Sequence, residues 1–395
     1  MVLNVIVMII DSQENGTCAT LVPLFNAKPE DLKTKDFQSN FLDAPSLKIS
    51  DLLHSASEQK SFKHHLIFTI LRIIVTHGGE TFTKFQTDLE RNQPCTDAKI
   101  KLHKTDLHPL PAWNIDESSI TGNVEVDDAI IKELSLETQV GGDIAETLRF
   151  YAGDQLSLAR FRSIEIIRAG HEHGHQAFFG TTWLAGLFHT KMADVTGTLF
   201  THWGKPNTGA RNPGSLWFHN TRLDRLPITL TSLPSFRVCR DLIFISLYAR
   251  VLHCLLLVAD VSALGSYVEK YGDWPTLVCH AELIYDRFVC TSVVRELRKN
   301  RETCLGGKVT EGDMVFENAV LFLRDALISR EFSDAVKAGD SGRVVLVLKT
   351  WALSFRGNGR TKYAYEMLHL IHNLTSVWSP AIRYFLDFSF ISDAH

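Results

Sequence analysis

Apolar residues open the chain in two short runs, residues 2–10 and 17–25, the first rich in branched side chains, with an Asn-Gly pair between them. That pattern predicts a β-hairpin. A polar stretch follows, and residues 58–76 then alternate as an amphipathic helix stopped by Gly78-Gly79. Residues 92–125 are punctuated by Pro94, Pro109, Pro111 and Gly122 and read as loop, with a short helix over 127–137. Residues 148–152 (LRFYA) and 182–189 (TWLAGLFH) are apolar runs of strand length, separated by a helical pattern that reaches about Ala169. From Phe236 onward the spacing predicts helices over 236–258, 262–271, 274–300, 313–337, 341–355 and 361–377.

Strands with helices come first and a helical mass follows, which predicts an α/β, helix-rich fold. The expected division is an α/β core over 1–205, a helical insertion over 206–338, returning core helices over 339–378 and an irregular tail over 379–395. No 20–50-residue period repeats.

Composition narrows the class. An apolar fraction of 45% and a charged fraction of 22% belong to a folded chain. The formal net charge of −4 gives no global attraction to nucleic acid or anionic membrane, although the balance from residue 150 onward is positive. Seven cysteines without a CxxC pair argue for a reducing, intracellular compartment, nuclear or cytoplasmic. The apolar N-terminus lacks a basic leader, so secretion is not expected. Residues 242–259 are the best membrane candidate, but Arg250 and His253 interrupt them, and a buried core helix is the expectation.

Four groups of residues carry candidate chemistry. Asp154 follows the LRFYA strand, where sites gather in α/β sheets; it is either a carboxylate for Mg²⁺ or the cap of the next helix. His189 and Asp194 follow the second strand and share a site only if a helix starts there; otherwise His189 bonds the backbone and Asp194 faces water. His171, His173 and His175 alternate as zinc ligands would, without a spaced fourth ligand, and also read as an exposed loop. Arg356, Arg360 and Lys362 stud a Gly-Asn-Gly turn that suits phosphate oxygens, or a solvated helix start, and Glu366 lies one turn on.

The runs QENGTCATLVPLFNAKPEDL, THWGKPNTGARNPGSLWFHNTRLDRLPITLTSLP and WALSFRGNGRTKYAYEMLHLIHNL resemble a fungal family catalogued as domain of unknown function 6589, over about Gln13 to Trp378. Both ends depart from it: residues 1–10 replace an apolar strand that begins further upstream, and the usual continuation past Trp378 is absent. More distantly, the order strand–Asp154–helix–strand–His189 resembles the ribonuclease H-like core of mutator-type, cut-and-paste transposases. That resemblance implies a small ribonuclease H-like sheet with a large helical insertion, and DNA as partner. It implies Asp154 and Glu366 as ligands of Mg²⁺ or Mn²⁺, His189 beside them, and Asp11 as the only local candidate for the first acid. A copy without that acid would be catalytically dead. A non-enzymatic helical interaction module and a degenerate fragment are the rival readings, and no membrane partner is expected.

Overall fold

The computed structural model describes residues 5–11, 16–101, 104–136, 144–206, 212–303 and 313–389. Five strands form one sheet: β1 Val5–Asp11, β2 Thr17–Pro23, β3 His108–Pro109, β4 Arg149–Gly153 and β5 Thr181–Ala185. The helices are α1 Thr34–Asp43, α2 Ile49–Leu52, α3 Ala56–His77, α4 Gln86–Arg91, α5 Ile120–Glu133, α6 Gln155–Arg168, α7 Leu187–His202 and α8 Leu216–Arg222. They continue with α9 Phe236–Ala259, α10 Leu264–Lys270, α11 Trp274–Phe288, α12 Thr291–Thr303, α13 Met314–Lys337, α14 Ser341–Gly357, α15 Thr361–His372 and α16 Pro380–Ser389. The fold is therefore helix-rich α/β.

The chain divides into two compact units. One comprises residues 1–54, 97–191 and 336–395, the other residues 55–96 and 192–335.

The first unit holds the sheet, with strand order β3-β2-β1-β4-β5. β2 runs antiparallel to β1 and β3, whereas β1, β4 and β5 are parallel. Every residue of β4 and β5 is buried, as in a parallel sheet covered on both faces. On one face Tyr151 and Trp183 meet Phe161 of α6, and Tyr151 donates 2.6 Å to Asp127 of α5. On the other, Phe150 meets the edge of Trp378. The first run is rich in branched residues, which suit extended backbone, and the hairpin ladder pairs Val5 with Pro23 and Asp11 with Thr17; residues 12–15 of its turn lie outside the described residues.

Four elements differ from the sequence expectation. The run 182–189 changes from strand to helix at Gly186. The Gly186 N–H still bonds the Gly153 carbonyl at 2.8 Å, and Thr190 N–H already bonds the Gly186 carbonyl at 3.0 Å. Apolar composition suits a buried strand and a buried helix equally, so the run does not mark the change. The expected helix 274–300 is two helices, since the Val289 and Cys290 N–H groups both turn back to the Tyr285 carbonyl. The helix expected over 127–137 begins at Ile120, where the Ser119 hydroxyl accepts Gly122 N–H at 2.9 Å. Residues 380–389 of the expected irregular tail form α16.

The second unit is helical. α3 starts with a capping box, Ser55 Oγ accepting Glu58 N–H while Glu58 accepts Ser55 N–H at 2.8 Å. It packs against α9 and α11. α9, with a mean hydropathy of 2.2 in its most apolar window, is the one helix among the described residues long and apolar enough to cross a membrane, and half of that window is buried within the protein. Leu242, Leu247, Val251 and Leu255 are buried; Arg250 bonds the Gly214 carbonyl and stacks over Phe322 at 4.2 Å. A buried acidic pair crosses α13. Glu331, fully buried, accepts from Thr69 at 2.8 Å, and Asp334 lies 3.2 Å from Arg72 and 2.7 Å from Arg330.

Candidate functional site

The carboxyl ends of β1, β4 and β5 form one rim, because the three strands are parallel neighbours. β1 ends in Asp11; carrying the Met8–Ala152 register three residues on sets it level with Gln155. Asp154 follows β4 with extended backbone, φ −69° and ψ 165°. Its Oδ1 accepts Ser157 N–H at 2.7 Å, which makes it the cap of α6. It is half-buried, and its Oδ2 enters no hydrogen bond among the described residues. His189 lies in the first turn of α7, half-exposed. Gly186 permits this close approach: a Cβ there would meet the Gly153 carbonyl at 3.3 Å and the His189 ring at 3.6 Å. Three of the expected residues, Asp11, Asp154 and His189, thus share one rim.

Glu366 is placed differently. It is buried on α15, and both of its oxygens accept from Arg162 of α6, Nη1 to Oε1 and Nη2 to Oε2, each at 2.6 Å. A buried carboxylate requires such a partner. Arg162 lies eight residues beyond the Asp154 cap, about 12 Å along the helix axis. What adjoins Asp154 is the first turn of α15. Burial pushes the Tyr363 hydroxyl up to about 12, and the Asp154 carboxylate is the next contributor, ahead of Glu366. The turn carrying Arg356, Arg360 and Lys362 leads directly into this helix, with Gly359 at φ +83°, where an L side chain is strained. Arg356 and Lys362 are exposed.

A Mg²⁺ ion asks for one or two carboxylates and keeps its other positions for water and phosphate. Asp154 fits that demand through its uncommitted Oδ2, and Asp11 fits by position. Glu366 does not, because both its oxygens are engaged. Among the described residues no three His, Cys, Asp or Glu side chains are grouped to hold a metal ion; the Asp11 side chain is outside them. His171 and His173 are exposed in the loop after α6, and Asp194 is buried in the part of α7 belonging to the second unit.

The sequence did not mark a second feature. Near the other end of α6, a cavity of about 350 Å³ is lined by Phe41, Arg162, Glu165, Phe179, Trp183 and His369, among others. Burial raises the Glu165 carboxyl to about 7, against the opposing pull of the Trp183 indole and the Thr181 hydroxyl. The indole N–H stands near enough to favour the charged carboxylate, yet it meets no acceptor at hydrogen-bond geometry. Thr181 has one hydroxyl proton and two acceptors, the Phe178 carbonyl at 2.5 Å and Glu165 Oε1 at 3.2 Å. A Glu in an amphipathic helix (RSIEIIR) reads as surface; only segments from α1, α6, β5 and α15 together enclose it.

Glu165 therefore gives a pH-dependent stability. Its folded value lies above the ordinary 4.5, so between about 4.5 and 7 the folded state retains a proton that the unfolded chain releases. Stability falls as pH rises through that window and levels off above it. Glu165→Gln lacks the group, so its stability relative to the parent should rise between pH 4.5 and 8 by up to about 3 kcal/mol, and by less to the extent that water reaches the carboxyl. Urea titrations of both proteins at several pH values measure this, and a pH-independent difference would sink the assignment.

A profile described as the family of unknown function DUF6589 matches residues 41–389. No curated protein and no solved structure matches the chain.

Proposed function

The chain belongs to the family of unknown function DUF6589, and from that premise we propose a ribonuclease H-like, transposon-derived core that acts on DNA through metal-dependent phosphodiester chemistry. The observation that carries the reading is the sheet: order β3-β2-β1-β4-β5, with only β2 antiparallel, sets Asp11 and Asp154 at the same end of adjacent parallel strands. His189 joins them from the end of β5. A bound Mg²⁺ or Mn²⁺ supplies an activated water and stabilises the leaving oxygen. The protein's own part is to hold two carboxylates at one rim and to offer Arg356, Arg360 and Lys362 on the adjoining turn to the nucleic-acid backbone. In this reading Glu366 is not a metal ligand; with Arg162 it fixes α15 against α6.

The test is cleavage of supercoiled DNA by the full chain with Mg²⁺ or Mn²⁺. Metal stabilisation of several kcal/mol corresponds to a rate loss of more than about a hundredfold when its ligand is removed. Asp154→Asn should show that loss. Asn retains the acceptor that caps α6, so the fold is kept. No cleavage by the parent chain with either metal, or equal rates in the variant, overturns the reading.

A further inference from the structure

We infer that one face of the second unit, built from α3, α9, α13 and the turn after α8, binds single-stranded nucleic acid, its guanidinium groups taking the phosphates and an exposed ring stack taking a base. This goes beyond the metal chemistry of the rim and does not depend on it, since Asp11 and Asp154 belong to the first unit.

A chain of contacts traces the face. On α9, Arg240, Phe244 and Tyr248 recur every four residues and so lie along one ridge. Arg330 of α13 donates to the Tyr248 hydroxyl at 3.0 Å and lies over the Phe244 ring at 5.6 Å. Arg72 of α3 joins them through Asp334, the carboxylate it shares with Arg330. Toward the start of α9, Arg225 reaches from the turn after α8 to the Val238 carbonyl at 3.2 Å. Arg237, next to Val238, is exposed and enters no ion pair among the described residues.

The charge of this face is lopsided. Arg72, Arg225, Arg237, Arg240 and Arg330 stand against Asp241 and Asp334, five positive groups against two negative ones. Arg222 and Asp224, on the neighbouring turn, offset each other. The whole chain has a net charge of −4, so the surplus is local. From Arg237 to Tyr248 the helix rises about 17 Å, a length that suits an extended polyanion rather than a single anion.

The rings add what a polyanion alone would not need. His77, the last residue of α3, stacks on Tyr248 at 4.1 Å and 18°, and Tyr248 on Phe244 at 6.1 Å and 29°. Phe244 is buried, Tyr248 half-buried and His77 exposed, so the ladder ends in a ring at the surface. Tyr248 covers one face of that ring, and the exposure therefore comes from its edges and its other face. Partial burial, and then Arg330, hold the imidazole toward its neutral form, so it offers a flat surface rather than a charge. Unpaired bases stack on such rings whatever their sequence, while arginines alongside hold the backbone. A duplex keeps its bases inside and can use only the arginines.

The experiment is fluorescence anisotropy of labelled oligo-dT and oligo-rU with the full chain, in EDTA so that no strand is cut. At least one single strand should bind, and a duplex of equal length should bind about fivefold more weakly. The logarithm of affinity should fall against the logarithm of salt with a slope of about −2, since each phosphate neutralised on a single strand contributes about 0.7. Arg237→Ala should make that slope shallower by about 0.7. His77→Ala should leave the slope unchanged and weaken binding about fivefold or more, through lost stacking. Both side chains are exposed, and melting curves establish that the variants are folded; His77→Leu takes the place of His77→Ala if that one is not. Absence of binding by both strands at low salt overturns the inference. So does equal binding of the duplex, equal competition by polyglutamate, or unchanged affinity in either folded variant. Loss confined to a variant with Arg356→Ala and Lys362→Ala would assign the binding to the rim instead. DNA cleavage is read separately, so either conclusion can fail while the other stands.

Discussion

Arg162→Met is expected to weaken the first unit by about 3–5 kcal/mol, because it strands a buried carboxylate. Glu366 is 4% exposed, and both of its oxygens receive hydrogen bonds from Arg162 and no other side chain shown. Without the guanidinium, Glu366 must be neutralised by a proton taken from solvent. The contrast that isolates the effect is the double variant Arg162→Met with Glu366→Leu. Replacing both partners of a buried pair with apolar groups is often neutral, so the double should recover most of the loss. Urea unfolding followed by circular dichroism measures all three proteins. A double variant no more stable than Arg162→Met alone would show that the helix contact, not the stranded charge, governs.

A second large effect belongs to the helical unit. Asp334, 1% exposed, holds two cations at once: Arg72 Nη1 at 3.2 Å, and Arg330 through Nη2 at 2.7 Å and Nε at 3.2 Å. Arg330 in turn donates to the Tyr248 hydroxyl at 3.0 Å, and that ring stacks on His77 at 4.1 Å. Asp334→Ala leaves two guanidinium groups facing each other without a counter-ion, with a cavity where the carboxylate stood. The expected loss is again about 3–5 kcal/mol. Asp334→Asn preserves shape and one acceptor and should lose less. Arg72 is a third exposed, so part of its charge is solvated and the figure is an upper one. An Asp334→Ala loss below about 1 kcal/mol would mean that the network is surface-like. Destabilisation of the same size in Asn and Ala would mean that charge is not what matters.

The candidate site shows how much a linear reading can carry. Asp154 was legible because a carboxylate after a buried strand and before a helix has few uses, and the structure puts it at the strand end as the cap of α6. His189 was legible as the end of an apolar run, though the run breaks at Gly186 and His189 belongs to a helix. Glu366 was legible as one turn into an amphipathic helix, but its partner was not, because Arg162 is 204 residues away in the chain. The Glu165 cavity left no local trace: its lining comes from segments far apart in the chain, which only the fold brings together.

By itself the sequence determined the elements whose signals are short-range: the hairpin, the helix stopped by Gly78-Gly79, the succession of helices after Phe236, and membership of a family through dense motifs. Only the tertiary structure decided the strand order that brings Asp11 beside Asp154, and the grouping of residues 55–96 with 192–335. It also decided that Glu366 would bind a guanidinium and that Glu165 would be raised toward neutrality. The reason is physical: propensity and capping act within a few residues, whereas register, desolvation and charge pairing depend on groups that are neighbours only after the chain has closed.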